Sequence, residues 1–164
     1  MMNRQPKHWV LVADSGQARI LELQRKPYEF RLVSELVSAT QHQTNKELKS
    51  DASGRVNSSK GAGTHAMAPR ADPHDQAEDE FVRSLTQTLE KAARLGAFEH
   101  LAIIADPRTL GRLRRFMSKA LAARVTEEHT MNLSSLPLGT LEPRVCAVLG
   151  WKEPKRAAGP ALSP

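Results

Sequence analysis

Two aspartates each end one of the most apolar runs of the chain. Asp14 follows Trp9-Val-Leu-Val-Ala13, and Asp106 follows Leu101-Ala-Ile-Ile-Ala105. If the two runs are neighbouring parallel strands, both carboxylates converge at the C-terminal edge of a sheet, where open α/β sheets bind ligands. Carboxylates paired there hold Mg²⁺ against a phosphate oxygen, the chemistry of a metal-dependent phosphoester hydrolase using Asp14 and Asp106. The plainer reading is that Asp14 closes a turn and Asp106 caps a helix. Two carboxylates also fall short of the ligand set of a good Mg²⁺ site. The six histidines show no Cys partner and no His-x-x-x-His spacing, so no metal and no cofactor is expected.

A second chemistry starts immediately afterwards. Pro107 suits the first position of a helix, and residues 107–124 carry six basic groups and no acid, equal to the net charge of +6 for the whole chain. Arg108, Arg112, Arg115 and Lys119 fall at helical spacing on one face. Leu110, Leu113, Met117, Ala120 and Leu121 fall on the other. The helix start, with its N–H groups from Arg108 to Gly111, Thr109 and the Arg108 guanidinium, suits a phosphate or carboxylate. The competing reading is a structural ion pair from Arg108 to Asp14 or Asp75. Arg55 and Lys60, with His65, lie among glycines in a polar segment and would suit a clamp on a phosphate backbone. With seven aromatics in all, a base-stacking surface is not indicated, whereas electrostatic contact with structured RNA is compatible.

The elements that must position these groups follow from pattern. Trp9–Ala13, 18–23 and 30–37 read as three strands joined by short turns, a meander. Residues 38–73 form a long polar loop, of a length that is either functional or disordered. Asp72 and Pro73 open an amphipathic helix whose stripe is Ala77, Phe81, Leu85, Leu89 and Ala92, and Gly96 stops it. A nearly all-apolar strand at 100–105 belongs inside the sheet, and a charged strand at 125–131 at its edge. Residues 135–149 read as a Pro-interrupted helix, and 150–164 as a disordered tail. The expected fold is α/β: one domain over 7–149, a mixed five-stranded sheet (three-strand meander, then α-β-α-β-α) with helices on both faces.

Composition narrows the class further. A chain of 164 residues buries a core without staples. Its single cysteine, Cys146, lies in an apolar run and reads as a buried small hydrophobe. There is no signal-peptide pattern and no apolar run long enough to span a bilayer, so the expected compartment is the cytoplasm.

Four short motifs in order, Trp9-Val-Leu-Val-Ala-Asp14, Ser53-Gly-Arg-Val56, Pro69-Arg-Ala-Asp-Pro-His74 and Ala105-Asp-Pro-Arg-Thr-Leu-Gly111, resemble the bacterial host attachment protein family. The resemblance runs from about Lys7 to Leu149. That family is similar in fold to the middle domain of archaeal and eukaryotic peptide-chain release factors. In those factors, a loop ahead of the long helix carries a Gly-Gly-Gln tripeptide that promotes peptidyl-tRNA hydrolysis. The corresponding segment here is Gly61-Ala62-Gly63-Thr64, so the resemblance implies the fold and an RNA- or ribosome-facing surface without the release chemistry. Near the domain end the family shows an acid before Leu-Thr, where this chain has Asn132-Leu133-Ser134. The resulting expectation is a non-enzymatic protein that contacts RNA or the ribosome through its basic helix and polar loop. A phosphoester hydrolase and a module binding an acidic protein are the alternatives.

Overall fold

A computed structural model describes residues 5–25, 28–39 and 72–153. Its elements are β1 (His8–Ala13), β2 (Gln17–Arg25), β3 (Tyr28–Val37), α1 (Pro73–Arg94), β4 (His100–Ala105), α2 (Pro107–Phe116), α3 (Lys119–Ala122), β5 (Val125–Thr130) and α4 (Leu138–Leu149). The sheet order is β3-β2-β1-β4-β5. The meander pairs antiparallel, whereas β1–β4 and β4–β5 are parallel. This is the expected mixed sheet, with the apolar 100–105 strand inside and the charged 125–130 strand at an edge.

The period-two pattern of the central strands divides the core. Trp9, Leu11 and Ala13 of β1, with Leu101, Ile103 and Ala105 of β4, pack under Phe81, Leu85 and Leu89 of α1 and Leu110 and Leu113 of α2. Val10, Val12, Ala102 and Ile104 face Leu141, Val145 and Leu149 of α4. After their first residues, His8 and His100, both strands are apolar because both sheet faces are covered. Asp72 caps α1 by accepting the His74 N–H at 3.0 Å. Gly96 reverses the chain after α1 at φ +74°, a conformation that suits glycine.

Two features differ from the pattern reading. The basic stretch is two helices, because Met117 is extended and Ser118 starts a new cap, its Oγ accepting the Leu121 N–H at 3.1 Å. Glu90 of α1 secures that break by accepting the Ser118 N–H at 2.9 Å. Trp151, which the sequence assigns to the tail, instead stacks near Phe30 with ring centroids 6.4 Å apart and meets His8 edge-on at 5.8 Å. Most of the long loop, with Arg55, Lys60 and His65, and the tail from 154 lie outside the described residues. Among the described residues no helix is long and apolar enough to cross a membrane.

Candidate functional site

The parallel register Ala13↔Ala105 places Asp14 and Asp106 at adjacent strand ends, as a shared site requires. Each carboxylate is nonetheless engaged by its own loop. Asp14 Oδ1 accepts the N–H groups of Gly16 and Gln17, both at 2.8 Å, and Ser134 Oγ lies 2.5 Å from Asp14 Oδ2. Asp106 Oδ1 accepts from Arg108 N and Thr109 N at 3.1 Å, and its Oδ2 from the Thr109 hydroxyl at 2.6 Å. The two aspartates thus do the work of turn and cap. The same contacts use two of the helix N–H groups that the sequence offered to an anion. They also bury Thr109, whose hydroxyl has no surface left for a ligand. No group of three or more potential metal ligands occurs among the described residues.

Ser134 closes this end of the sheet. It is buried, its Oγ is 2.7 Å from Asn132 Oδ1, and its carbonyl accepts a hydrogen bond from the Arg19 guanidinium. Arg19 also donates to the Leu136 carbonyl. Asn132 takes the place that the resemblance led one to expect for an acid. An amide with donors as well as an acceptor can share the Ser134 hydroxyl with Asp14 without adding a second negative charge.

The cationic face of α2 does not stand open along its length. It lies against the acidic first turns of α1. Arg112 reaches three carboxylates: Asp75 at 3.1 Å, Glu78 at 2.7 Å and Asp79 at 2.8 Å, with only 11% of its side chain exposed. Arg108 pairs with Asp75 at 3.0 Å yet stays 69% exposed, and Arg115 pairs with Asp79 at 2.9 Å yet stays 59% exposed. Of the two partners weighed for Arg108, the structure therefore has Asp75. Burial pushes the Asp79 carboxyl up, but the hydrogen bond from Arg112 and the charges of Arg115 and Arg112 outweigh it. The net result lies below the usual carboxylate range. For Arg112, burial likewise opposes the charge, and Asp79, Glu78 and Asp75 more than restore it. An open groove of about 350 Å³ runs between Asp75, Asp79, Arg108, Gly111, Arg112 and Arg115. Lys119, displaced onto α3 by the break at Ser118, is exposed.

Pattern reading weighed Asp75 as a partner of Arg108 and missed the role of Asp75, Glu78 and Asp79 opposite Arg112. The signal is present as two matched helical spacings of opposite sign, 75/78/79 and 108/112/115. It also missed Arg83 and Phe116, which meet across the two helices.

Residues 9–145 match the family model described as "Protein required for attachment to host cells". The chain belongs to this family. A comparison with curated proteins gives no match. Among solved structures the chain is similar to an archaeal translation termination factor, at 9% identity and TM-score 0.45, over 88% of this chain and 39% of that one. It is also similar to a structure described as an archaeal protein, at 10% identity and TM-score 0.48, over 90% and 35% of the two chains. An Aquifex aeolicus Ppx/GppA phosphatase is similar at 15% identity and TM-score 0.40, over 77% and 36%. The chain spans less than two fifths of the length of each. Gly61–Thr64, which the sequence reading set against the release-factor tripeptide, lies outside the described residues.

Proposed function

We propose that this host attachment family protein is a non-enzymatic binding module that holds an anionic partner, RNA or the ribosome, against the outer rim of α2 and α3. The observation that carries the reading is the exposure of Arg108 and Arg115. Each keeps more than half its side-chain surface in solvent while already touching a carboxylate, and Lys119 stands exposed one turn beyond. A guanidinium with one edge anchored and the other free loses little further rotamer entropy when it meets a phosphate. Arg55 and Lys60 of the polar segment, outside the described residues, belong to the same proposal as further contributors. Arg112 does not, because its side chain is buried among three carboxylates inside the fold. The reading of Asp14 and Asp106 as a hydrolytic pair has no comparable support, since both carboxylates are satisfied by their own turn and helix.

The test is co-sedimentation of the purified chain with ribosomes and with RNA at low and high salt, comparing wild type with Arg108→Glu/Arg115→Glu/Lys119→Glu. Binding that is lost steeply with salt and abolished in the triple variant supports the proposal. Absence of co-sedimentation at low salt, or equal binding by the variant, overturns it. Binding that resists salt in a protein pull-down points to an acidic protein partner instead.

A further inference from the structure

Two guanidiniums from different helices share one aromatic ring. Arg83 of α1 places its Cζ 4.9 Å from the centroid of the Phe116 ring, and Arg115 of α2 places its Cζ 4.6 Å from the same point. Both arginines are exposed, as is Lys119 at the start of α3. Two like charges held at one ring repel each other. The ring quadrupole returns only about 0.5–1 kcal/mol per cation at such exposed positions.

The nearby carboxylates do not pair with Arg83: Asp79 holds Arg112 and Arg115, and Glu90 accepts the Ser118 N–H. Among the described residues Arg83 has no ion-pair partner. Arg115 is paired with Asp79, so Arg83 is the guanidinium of this cluster that has no counter-charge among the described residues.

We infer that Arg83 and Arg115, gathered at Phe116, form with the exposed Lys119 of α3 a clamp for the phosphate backbone of a nucleic acid. The inference rests on the anionic-partner reading above and adds to it the ligand chemistry and two residues, Arg83 and Phe116.

Two observations select phosphate over an acidic protein surface. Protein interfaces need an apolar or aromatic anchor to bury, yet among the described residues the exposed large apolar side chains (Leu32, Val37, Leu95, Met131 and Leu138) all lie outside α2 and α3. Nucleic-acid interfaces are instead polar and cationic. In addition, Arg83, held 4.9 Å from the Phe116 ring centroid and without an ion-pair partner among the described residues, keeps its fork of N–H donors for phosphate oxygens. The Phe116 ring, already used by two arginines, is not a platform for bases. The contact therefore reads the backbone and is indifferent to sequence.

The experiment is fluorescence anisotropy of the full chain with labelled RNA of about 20 nucleotides, single- and double-stranded, between about 50 and 200 mM salt. Poly-glutamate of equal charge serves as competitor, and the variants are Arg83→Gln, Arg83→Lys and Phe116→Leu. Arg83→Gln should weaken every RNA sequence by a common factor of roughly 5–10 and reduce the salt slope by about one. Phe116→Leu and Arg83→Lys should each weaken binding a few-fold while leaving Tm near wild type, because each spoils the stacking and keeps charge or apolar volume.

If these variants bind as wild type while Arg108→Glu/Arg115→Glu/Lys119→Glu does not, the clamp is refuted and the broader reading stands. Competition by poly-glutamate as effective as by unlabelled RNA overturns the choice of phosphate. No binding of wild type at the lowest salt overturns both.

Discussion

Arg112 is the residue on which the packing of α2 against α1 turns, and its removal gives the sharpest test of that packing. Arg112→Met keeps the long apolar stem and deletes the charge, so Asp75, Glu78 and Asp79 are left facing one another without their common counter-ion. Breaking a fully buried pair by removing one partner costs about 3–5 kcal/mol. Here the three carboxylates are between 23% and 49% exposed, so water recovers part of that, and we expect about 2 kcal/mol. For a domain of this size that is a fall in Tm of about 4–8 °C. Arg108→Met, whose side chain is mostly in solvent, should cost under about 0.5 kcal/mol. Urea melts followed by circular dichroism give both values. Adding Asp75→Asn, Glu78→Gln and Asp79→Asn to Arg112→Met should restore at least half the loss, since repulsion is removed and an apolar stem remains. The pH dependence has a definite sign. Asp79 titrates below its ordinary value in the fold, so its contribution is present above pH 3.8 and is lost as pH falls through that lower value. The deficit of Arg112→Met should therefore shrink in acid, where the unpaired carboxylates take up protons. If Arg112→Met costs no more than Arg108→Met, the three-carboxylate clamp is not what holds α2 in place.

Four further outcomes are expected. His8 titrates below 6.5 because of burial and then the charges of His100 and Arg25, with Glu99 opposing. Its contribution to stability is complete above pH 6.5 and declines as pH falls toward the folded value, so His8→Phe should flatten the urea midpoint between about pH 7.5 and 5.5. The Cys146 thiol, pushed up to about 11 by burial and then by Glu153 and Glu142, should react with a disulfide reagent at neutral pH only as fast as the protein unfolds. Gly111 lies within α2 with open space where a Cβ would be, whereas Gly150 sits at φ +68°. Gly111→Ala should stabilise by about 0.5–1 kcal/mol and Gly150→Ala destabilise by a similar amount, both read from thermal melts. Asp106→Asn should leave stability nearly unchanged and Asp106→Ala should cost about 1–2 kcal/mol if capping is the role of that side chain; equal losses in both would mean the charge matters.

The sheet was legible because its signals are local. β1 and β4 are unbroken apolar runs, the turns after them carry aspartates, and Asp72-Pro73 and Gly96 bracket α1 by capping chemistry that needs no knowledge of the rest of the chain. The break in the basic stretch was less legible. Residues 107–124 keep helical periodicity across Met117 and Ser118, and what interrupts them is partly distant: Glu90, on another helix, takes the Ser118 N–H. Trp151 escaped notice for a similar reason. It follows Gly150 among tail-like residues, and only the fold brings Phe30 and His8 to it.

The meaning of the charges was the least legible of all, and the reason is physical. A row of arginines at helical spacing looks the same in sequence whether it faces solvent or a second helix, because periodicity fixes a face and not what covers it. The decision is made by α1, whose Asp75, Glu78 and Asp79 lie some thirty residues upstream of the arginines they meet. Each carboxylate withdraws one edge of a guanidinium from any outside partner, most completely at Arg112, least at Arg108 and Arg115. The excess of six positive charges over 107–124 thus overstates what a ligand can feel at the middle of α2 and understates it at the end. There Arg83 joins from α1, Phe116 gathers two guanidiniums, and Lys119 follows past the helix break. The same acidic turn that neutralises one end of the row also fixes the geometry of the other, since Asp79 anchors Arg115 as well as Arg112. On the proposed function, stability and recognition are coupled through that single carboxylate. Asp79→Asn should therefore lower Tm and loosen RNA binding together, whereas Arg83→Gln should affect binding alone.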